Sequence, residues 1–246
     1  MAFKDRLKII RREVLGAYNR FDLALYLAWS DTRTRYRRSV LGPLWLVFGT
    51  LIGVGGLGIV WSTLFQVDRA TFIPALSVGL VTWYLLNSCI TESASAFYTN
   101  RDLILNIPLS SILVSMLLLF RQVINFLHNM LVVFVVFLIY PENISVVSLL
   151  AIPGFFLVCI NLLAIIQIIG YLGARYRDLA PLLTAIMQPI FFISPVIFRP
   201  QQLGPVVFIA NWNPIAYWLS LVRDPLLGSA PSLTCWMVVL SMTIVG

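Results

Sequence analysis

The chain has 246 residues, of which 60% are hydrophobic and only 11% are charged. A soluble domain of this length must present a polar surface to water, so the composition excludes one and indicates an all-α protein that crosses a membrane several times. The net charge of +7 would suit nucleic acid, but ten of the 17 Lys and Arg residues precede position 41, beside the first apolar segment. This distribution favours anionic lipid, and no nucleic acid, as the partner of the basic residues.

Residues 1–40 are predicted to form cytoplasmic amphipathic helices that lie along the membrane surface. Apolar residues recur at spacings of three and four from Phe3 to Phe21, with charged residues on the other faces. A second helical segment follows from Asp22 to about Tyr36. The alternative for both segments is a helix packed on a soluble partner.

A basic run then leads directly into the membrane. Arginines are dense over residues 33–38, and nothing charged follows until Asp68. We therefore expect the chain to enter the membrane at about Leu41, with the arginines at the depth of the lipid headgroups.

Residues 41–246 are predicted to form a domain of six membrane helices, because roughly 20 apolar residues span the hydrocarbon. The predicted spans are residues 41–65, 73–97, 118–140, 146–173, 182–198 and 232–246. With the N-terminus inside, thirteen Lys and Arg residues fall on the cytoplasmic side and three outside, which supports this orientation. The last span has only 15 residues, so we expect it to be truncated here and the native protein to continue.

Two apolar stretches depart from simple spanning helices. A helix from Pro108 to Tyr140 would be about 50 Å long, well beyond a bilayer core of about 30 Å. We expect its membrane part to begin near Arg121, with residues 109–120 as a tilted or surface extension. The fifth span is short and contains two prolines, and the mixed region after it is predicted to form re-entrant helices that line a cavity.

Several familiar sites are excluded. Lysine occurs only at positions 4 and 8, so the chain has no Gly-rich phosphate loop that ends in Gly-Lys-Ser/Thr. The single His128 excludes paired-histidine metal motifs, and no Asp-x-Asp motif is present. We therefore predict no catalytic residue, no metal and no cofactor in this chain. For Glu92 and His128, contacts within the helix bundle are favoured over a proton relay.

The first membrane helix has a face of small residues. On a helical wheel, Gly49, Gly53 and Gly56 share a face with Trp45, and Phe48 lies just beside it. Small residues at this spacing allow close helix approach, so the face could contact a second copy of the protein beside a pore. Internal packing with Trp45 as an interfacial tryptophan is the alternative.

At this point the motifs resemble a known family. The sequence RYRRSVLGPLW at residues 35–45 is similar to the start of the membrane domain in ABC-2 type polysaccharide exporters, the O-antigen, capsule and teichoic acid permeases, with O-antigen exporters the nearest likeness. Further matching segments follow in the family's order over nearly the whole chain, at residues 100–104, 107–109, 128–129, 152–154, 174–178, 194–197, 213–214 and 223–228.

The resemblance implies a homodimer bound to two copies of a cytoplasmic ABC ATPase, which would bind ATP and Mg. The complex would export an undecaprenyl-diphosphate-linked glycan from the cytoplasm to the periplasm across the bacterial inner membrane. It also implies a coupling helix that docks in the ATPase, formed by Arg101, Asp102, Leu103, Ile104 and Leu105. It implies a channel lined by aromatic side chains, namely Trp45, Phe48, Phe191, Phe192 and Phe198. It implies a periplasmic gate around Trp212, Asn213, Tyr217 and Trp218.

The arginines then acquire a hypothetical role. Arg35, Arg37 and Arg38 could receive the substrate diphosphate, because guanidinium groups bind phosphate oxygens well. Topology determination and lipid anchoring are the alternative. Two other classes of function also stay open: an ABC-2 permease for capsule, teichoic acid, drugs or other lipids, and a membrane-embedded glycosyltransferase, against which the missing acidic metal motif argues.

Overall fold

The computed structural model describes residues 15–17, 19–37, 39–106, 110–141, 145–198, 208 and 212–245. No strand occurs within these ranges. The helices, in chain order, are α1 (Phe21–Arg35), α2 (Leu44–Leu64), α3 (Arg69–Thr99), α4 (Arg101–Asn106), α5 (Ser111–Ile139), a 3-10 helix (Val146–Leu150), α6 (Ala151–Arg175), α7 (Leu179–Ile193), α8 (Pro214–Leu226) and α9 (Leu233–Val245). The amphipathic helix predicted before residue 15, and Arg38, lie outside the described residues.

Four helical segments of the described chain are long and apolar enough to cross a membrane. They are α2, α3, α5 and the continuous segment Val146–Arg175, which joins the 3-10 helix to α6. The apolar helices α7 and α9 have 15 and 13 residues, fewer than the roughly 20 that span a bilayer as a straight helix. The all-helical class is therefore confirmed, whereas the count of six spans and a re-entrant position for α8 stay predictions.

Helix α3 is the centre of the bundle. It packs against α2, α5, α6, α7 and α8, and most of its residues are buried. Leu76, Leu80 and Leu86 on α3 are among the most completely buried large side chains. By contrast, α2 packs mainly on α3 and α5 and buries one narrow stripe, Thr50, Val54, Gly58 and Ser62, at strict four-residue spacing. Half-buried residues flank this stripe, and the side of α2 that carries Trp45, Phe48 and Ile52 is exposed in the single chain.

Helix α5 runs without interruption through Arg121, so the predicted extension before Arg121 belongs to the same helix as the predicted span. It is one continuous helix of 29 residues, about 44 Å long at 1.5 Å per residue. Its first turns are buried within the bundle, as Leu113, Val114, Leu117 and Leu118 show. Arg121 is paired with acidic side chains inside the bundle, and a membrane part that begins near Arg121 stays a prediction.

Two glycines allow backbones to meet closely. A Cβ atom added at Gly154 on α6 would lie 2.5 Å from the carbonyl oxygen of Leu221 on α8. A Cβ atom added at Gly79 on α3 would lie 2.7 Å from the carbonyl oxygen of Val196, in the segment after α7. Any larger side chain at either position would therefore push α8 or the post-α7 segment away from the core.

Candidate functional site

A basic cavity lies between α1, the turn before α2, and α5. It has a volume of about 700 Å³. Its walls combine arginine, histidine, hydroxyl and aromatic groups, from Trp29, Thr32, Arg33, Thr34, Tyr36, Arg37, Gly42, Pro43 and His128. Positive charge beside aromatic rings suits a phosphate group that is attached to an organic molecule.

The structure distinguishes among the clustered arginines. Arg33, Arg35 and Arg37 are all exposed, but only Arg33 and Arg37 line the basic cavity. Residues four positions apart share one side of a helical segment, and the residue midway between them points to another side. The sequence hypothesis named Arg37 and omitted Arg33, whose spacing from Arg37 was the available signal, and a diphosphate role for these arginines stays a prediction. Arg38 lies outside the described residues.

Helix α1 is attached to the bundle through Arg121 on α5. The Arg121 Nη2 atom donates to Glu92 Oε2 on α3 at 2.6 Å, and its Nη1 atom lies 3.8 Å from Asp31 Oδ2 on α1. The Arg121 side chain is only 17% exposed. Nearby, Phe21 on α1 meets Phe120 on α5 edge to face, with ring centroids 5.0 Å apart. Glu92 is thus a bundle contact, and Arg121 and Phe120 on α5 both lie against α1, which forms one wall of the basic cavity.

A second cavity, here called the neutral cavity, lies between α2, α3 and α5. It has a volume of about 330 Å³ and no charged side chain in its described lining. Its polar groups are hydroxyls and amides, from Thr50, Tyr84, Ser88, Gln122, Asn125 and Asn129, and Trp45 stands among the lining residues. Sequence reasoning missed this cavity, although amides at spacings of three and four on α5 were a signal for it.

The predicted channel aromatics fall into two groups. Trp45 on α2 is 59% exposed, and Phe48 and Phe192 are also exposed. Phe191, in contrast, is half-buried and packs edge to face on Trp83 of α3, with centroids 5.3 Å apart. Within one chain, therefore, Trp45, Phe48 and Phe192 are free to face a pore, whereas Phe191 packs against the hydrophobic core. Phe198 belongs to the gate region described below.

The predicted coupling segment is helical. Helix α4 follows α3 directly and consists of the six residues from Arg101 to Asn106. Arg101, Asp102 and Leu105 are exposed, while Leu103 and Ile104 are half-buried. The polar residues and Leu105 are thus available to a partner, and the other two apolar side chains face the helix bundle.

The predicted gate residues cluster where α8 meets the segment after α7. Asn213 caps α8 by accepting from the Ile215 N–H at 3.0 Å, and its Nδ2 atom donates to Ser194 Oγ at 2.8 Å. Trp218 is buried, Tyr217 is half-buried and Trp212 is exposed. Asn213 and Trp218 thus hold α8 in place, while Trp212 projects outward.

Arg223 completes this region and was not among the predicted site residues. It is buried, donates to the Pro195 carbonyl oxygen, and its Nε atom lies 3.3 Å from Asp224 Oδ1. Arg223 and Phe198 line a cavity of about 160 Å³ together with Asp68. A buried arginine bound to a carbonyl oxygen fixes the backbone of the post-α7 segment against α8.

No group of three His, Cys, Asp or Glu side chains that could hold a metal occurs in the part of the chain that the structure describes.

The chain is similar to known export permeases. It is 25% identical over 222 residues to an O-antigen export system permease protein RfbA of Klebsiella pneumoniae. This match covers 83% of this chain and 80% of the relative. It is 23% identical over 192 residues to the protein of the same name in Myxococcus xanthus, covering 76% of this chain and 72% of the relative. The ABC-2 type transporter family matches residues 23–227, from α1 to the end of α8. The chain therefore belongs to the ABC-2 type transporter family, as one of its membrane permeases.

Proposed function

We propose that this chain is the permease subunit of an ATP-driven exporter that moves a lipid-linked polysaccharide from the cytoplasm to the periplasm. The observation that carries the proposal is the basic cavity, which lies where α1 meets the first membrane helix. Its two arginines suit the diphosphate of a lipid-linked glycan, such as undecaprenyl-diphosphate-linked O-antigen. The names of the relatives, O-antigen export system permeases, support the same class of cargo.

The route of the glycan would begin at this cavity and continue along α2. Trp45 and Phe48 are exposed on α2, and Phe192 is exposed on α7. In a homodimer, these surfaces would meet their counterparts and line a channel, because C–H-rich sugar faces move over aromatic rings without fixed hydrogen bonds. The exposed side of α2 in the single chain supports this arrangement.

The energy would come from a separate protein. The sequence contains no Gly-Lys-Ser/Thr phosphate loop, so we assign ATP and Mg to two copies of a cytoplasmic ABC ATPase. Helix α4 would dock in that ATPase through its exposed residues. Helices α1 and α4 would then lie on the cytoplasmic side of the bacterial inner membrane, the orientation that the basic residues favour.

The test compares Arg37, which lines the basic cavity, with Arg35, which carries the same charge and does not line it. In a strain whose own permease gene is deleted, we expect the wild-type chain to restore surface polysaccharide and Arg37→Gln to fail. Arg35→Gln removes the same charge outside the basic cavity, so we expect it to restore export. Surface polysaccharide is measured by gel electrophoresis, with an immunoblot to verify equal permease in the membrane.

Two outcomes would argue against the proposal. Normal polysaccharide from the double variant Arg33→Gln/Arg37→Gln would exclude the basic cavity as the diphosphate site. Unchanged polysaccharide in the deletion strain, together with altered drug resistance, would instead favour a permease for drugs or other lipids.

A further inference from the structure

We propose that the neutral cavity binds one uncharged sugar residue of the exported glycan, the residue next to the diphosphate. The proposal rests on the export function proposed above. It adds a site for the part of the substrate that arginines cannot recognise, and so a means of selecting one glycan over another.

The neutral cavity is built from matching polar faces of three helices. Gln122, Asn125 and Asn129 follow one another at spacings of three and four, which places them on one side of α5. Thr50 on α2 and Ser88 on α3 line the same cavity. Because neutral polar groups in a membrane protein turn away from lipid, this arrangement forms a hydrogen-bonding pocket inside the bundle.

The central amide lacks a partner for its NH₂ group. Gln122 is only 2% exposed, and its Nε2 atom makes no hydrogen bond among the described residues. Its Oε1 atom accepts from Asn125 Nδ2 at 3.1 Å, so the amide is oriented and only the donor end is free. A buried amide donor without a partner, on the wall of a cavity, points to a ligand that can accept a hydrogen bond.

The other polar groups add both donors and acceptors. The Thr50 hydroxyl donates to Asn129 Oδ1 at 2.8 Å, which leaves the Asn129 NH₂ group available. The Asn125 side-chain oxygen and the hydroxyls of Tyr84 and Ser88 can accept hydrogen bonds. Sugar hydroxyls both donate and accept, so they match this mixed set. A phosphate, which only accepts and carries charge, does not match it, since no cation lines the cavity.

Size and aromatic content agree with a single sugar ring. The volume of about 330 Å³ lies at the low end of the range for small-molecule sites, roughly 300 to 1,000 Å³, which favours one ring over a chain of several. Trp45 belongs to the same lining and is largely exposed, so its indole is available to cover the C–H face of a ring.

The linings of the neutral cavity and the basic cavity include neighbouring positions of the chain. His128 of the basic cavity precedes Asn129 of the neutral cavity on α5, and Pro43 lies two positions before Trp45 at the start of α2. A diphosphate held by Arg37 would therefore bring its attached sugar to the neutral cavity. This adjacency is why we assign the cavity to the first sugar and not to a later one.

The experiment measures binding of phosphate-free sugars to the full-length permease in lipid nanodiscs. The probes are the methyl glycosides of glucose, galactose, mannose and N-acetylglucosamine, and the readout is saturation-transfer difference NMR. We expect transfer to at least one glycoside, with affinity lowered about tenfold or more by Gln122→Leu, since the variant removes the free donor. Ser88→Leu should have the same effect, because it fills the cavity from α3 and leaves the amides intact.

Thr82→Val is the matched control. The Thr82 hydroxyl is also buried without a partner on α3, but Thr82 does not line the neutral cavity, so binding should be unchanged. Saturation transfer to none of the four glycosides would overturn the proposal and indicate a cavity filled only by water. Wild-type binding by both Gln122→Leu and Ser88→Leu would overturn it as well.

The result can be separated from the test of the export function. Glycoside binding is measured on purified protein, whereas export is measured in the deletion strain. If export is lost on deletion and the glycosides do not bind, only the sugar site fails. If deletion leaves surface polysaccharide unchanged, the export function fails whatever the NMR experiment gives.

Discussion

The ion pair between Arg121 and Glu92 provides a quantitative prediction about how the bundle is held together. Arg121 on α5 also lies near Asp31 on α1, so one guanidinium connects three helices. We consider three single variants, Arg121→Met, Glu92→Gln and Asp31→Asn, and the double variant of the first two. Methionine keeps the apolar length of the arginine side chain and removes its charge and its hydrogen bonds.

The structure indicates unequal contributions from the two carboxylates. The Nη2 to Oε2 distance of 2.6 Å to Glu92 is that of a charge-assisted hydrogen bond, whereas Asp31 lies 3.8 Å away and its side chain is 49% exposed. A hydrogen bond to a charged group contributes about 1.5 to 3 kcal/mol, and an exposed ion pair contributes about 0.2 to 1 kcal/mol. Because the Glu92 side chain is partly exposed, we expect a coupling free energy of about 1 to 2 kcal/mol between Arg121 and Glu92, and less than about 0.5 kcal/mol between Arg121 and Asp31.

The measurement is the apparent melting temperature of the purified permease. For a chain of this size, 1 kcal/mol corresponds to about 2 to 4 °C, so Arg121→Met should lower the melting temperature by several degrees. Arg177→Met, at an exposed arginine, is the control and should change it by less than about 1 °C. If the double variant Arg121→Met/Glu92→Gln loses as much as the two single variants added together, the two side chains are not coupled and the reasoning is refuted. If Asp31→Asn lowers the melting temperature as much as Glu92→Gln does, then the distance to Arg121 and the exposure of the carboxylate do not predict the strength of each contact.

Three further predictions concern other contacts. Gly154→Ala should destabilise the protein by about 1 to 3 kcal/mol, because its Cβ would meet the Leu221 carbonyl oxygen, whereas Gly55→Ala, which has no neighbour within 4 Å, should be neutral or stabilising in the same melting assay. Asn213→Ala should lower stability by about 1 kcal/mol through loss of the α8 cap, and substitution by Ser should restore most of it. Leu105→Asp on the exposed side of α4 should abolish co-purification of the proposed ATPase with no change in melting temperature, and retained ATPase would exclude α4 as the docking helix.

The helices could be predicted from the sequence because their signal is local. The apolar run after residue 41 predicts α2 to within about three residues at each end, since hydropathy and the surrounding charges are read directly from neighbouring positions. The position of α4 followed only from the resemblance to a family. The ion pairs of Arg121 could not be predicted, because its partners lie 29 and 90 positions away in the chain.

The sites were harder to predict because they depend on which helix faces meet. The arginine cluster was identified from charge density, but only the backbone path separates Arg33 and Arg37, which line the basic cavity, from Arg35, which does not. The neutral cavity needs three helices to bring their polar faces together. Each polar residue, taken alone in the sequence, is compatible with ordinary packing between helices.

Replacing Gln122 also tests whether the polar side chains of the neutral cavity stabilise the folded protein or bind a ligand. A buried amide without a partner costs about 1 to 3 kcal/mol, and the bond from Asn125 returns only about 1 kcal/mol. If Gln122 stabilised the fold, replacing it with leucine would lower the stability of the protein. If Gln122 is present to bind a ligand, the same replacement should raise the stability of the protein without ligand. We expect Gln122→Leu to raise the apparent melting temperature by about 2 to 4 °C, which corresponds to a gain of about 1 kcal/mol in the free energy of unfolding. Thr82→Val, which also removes an unpartnered polar atom, should raise it too, but only Gln122→Leu should also weaken glycoside binding. A lower melting temperature for Gln122→Leu would mean that its NH₂ group is already satisfied within the folded chain, and the neutral cavity would then lose its best argument for a ligand.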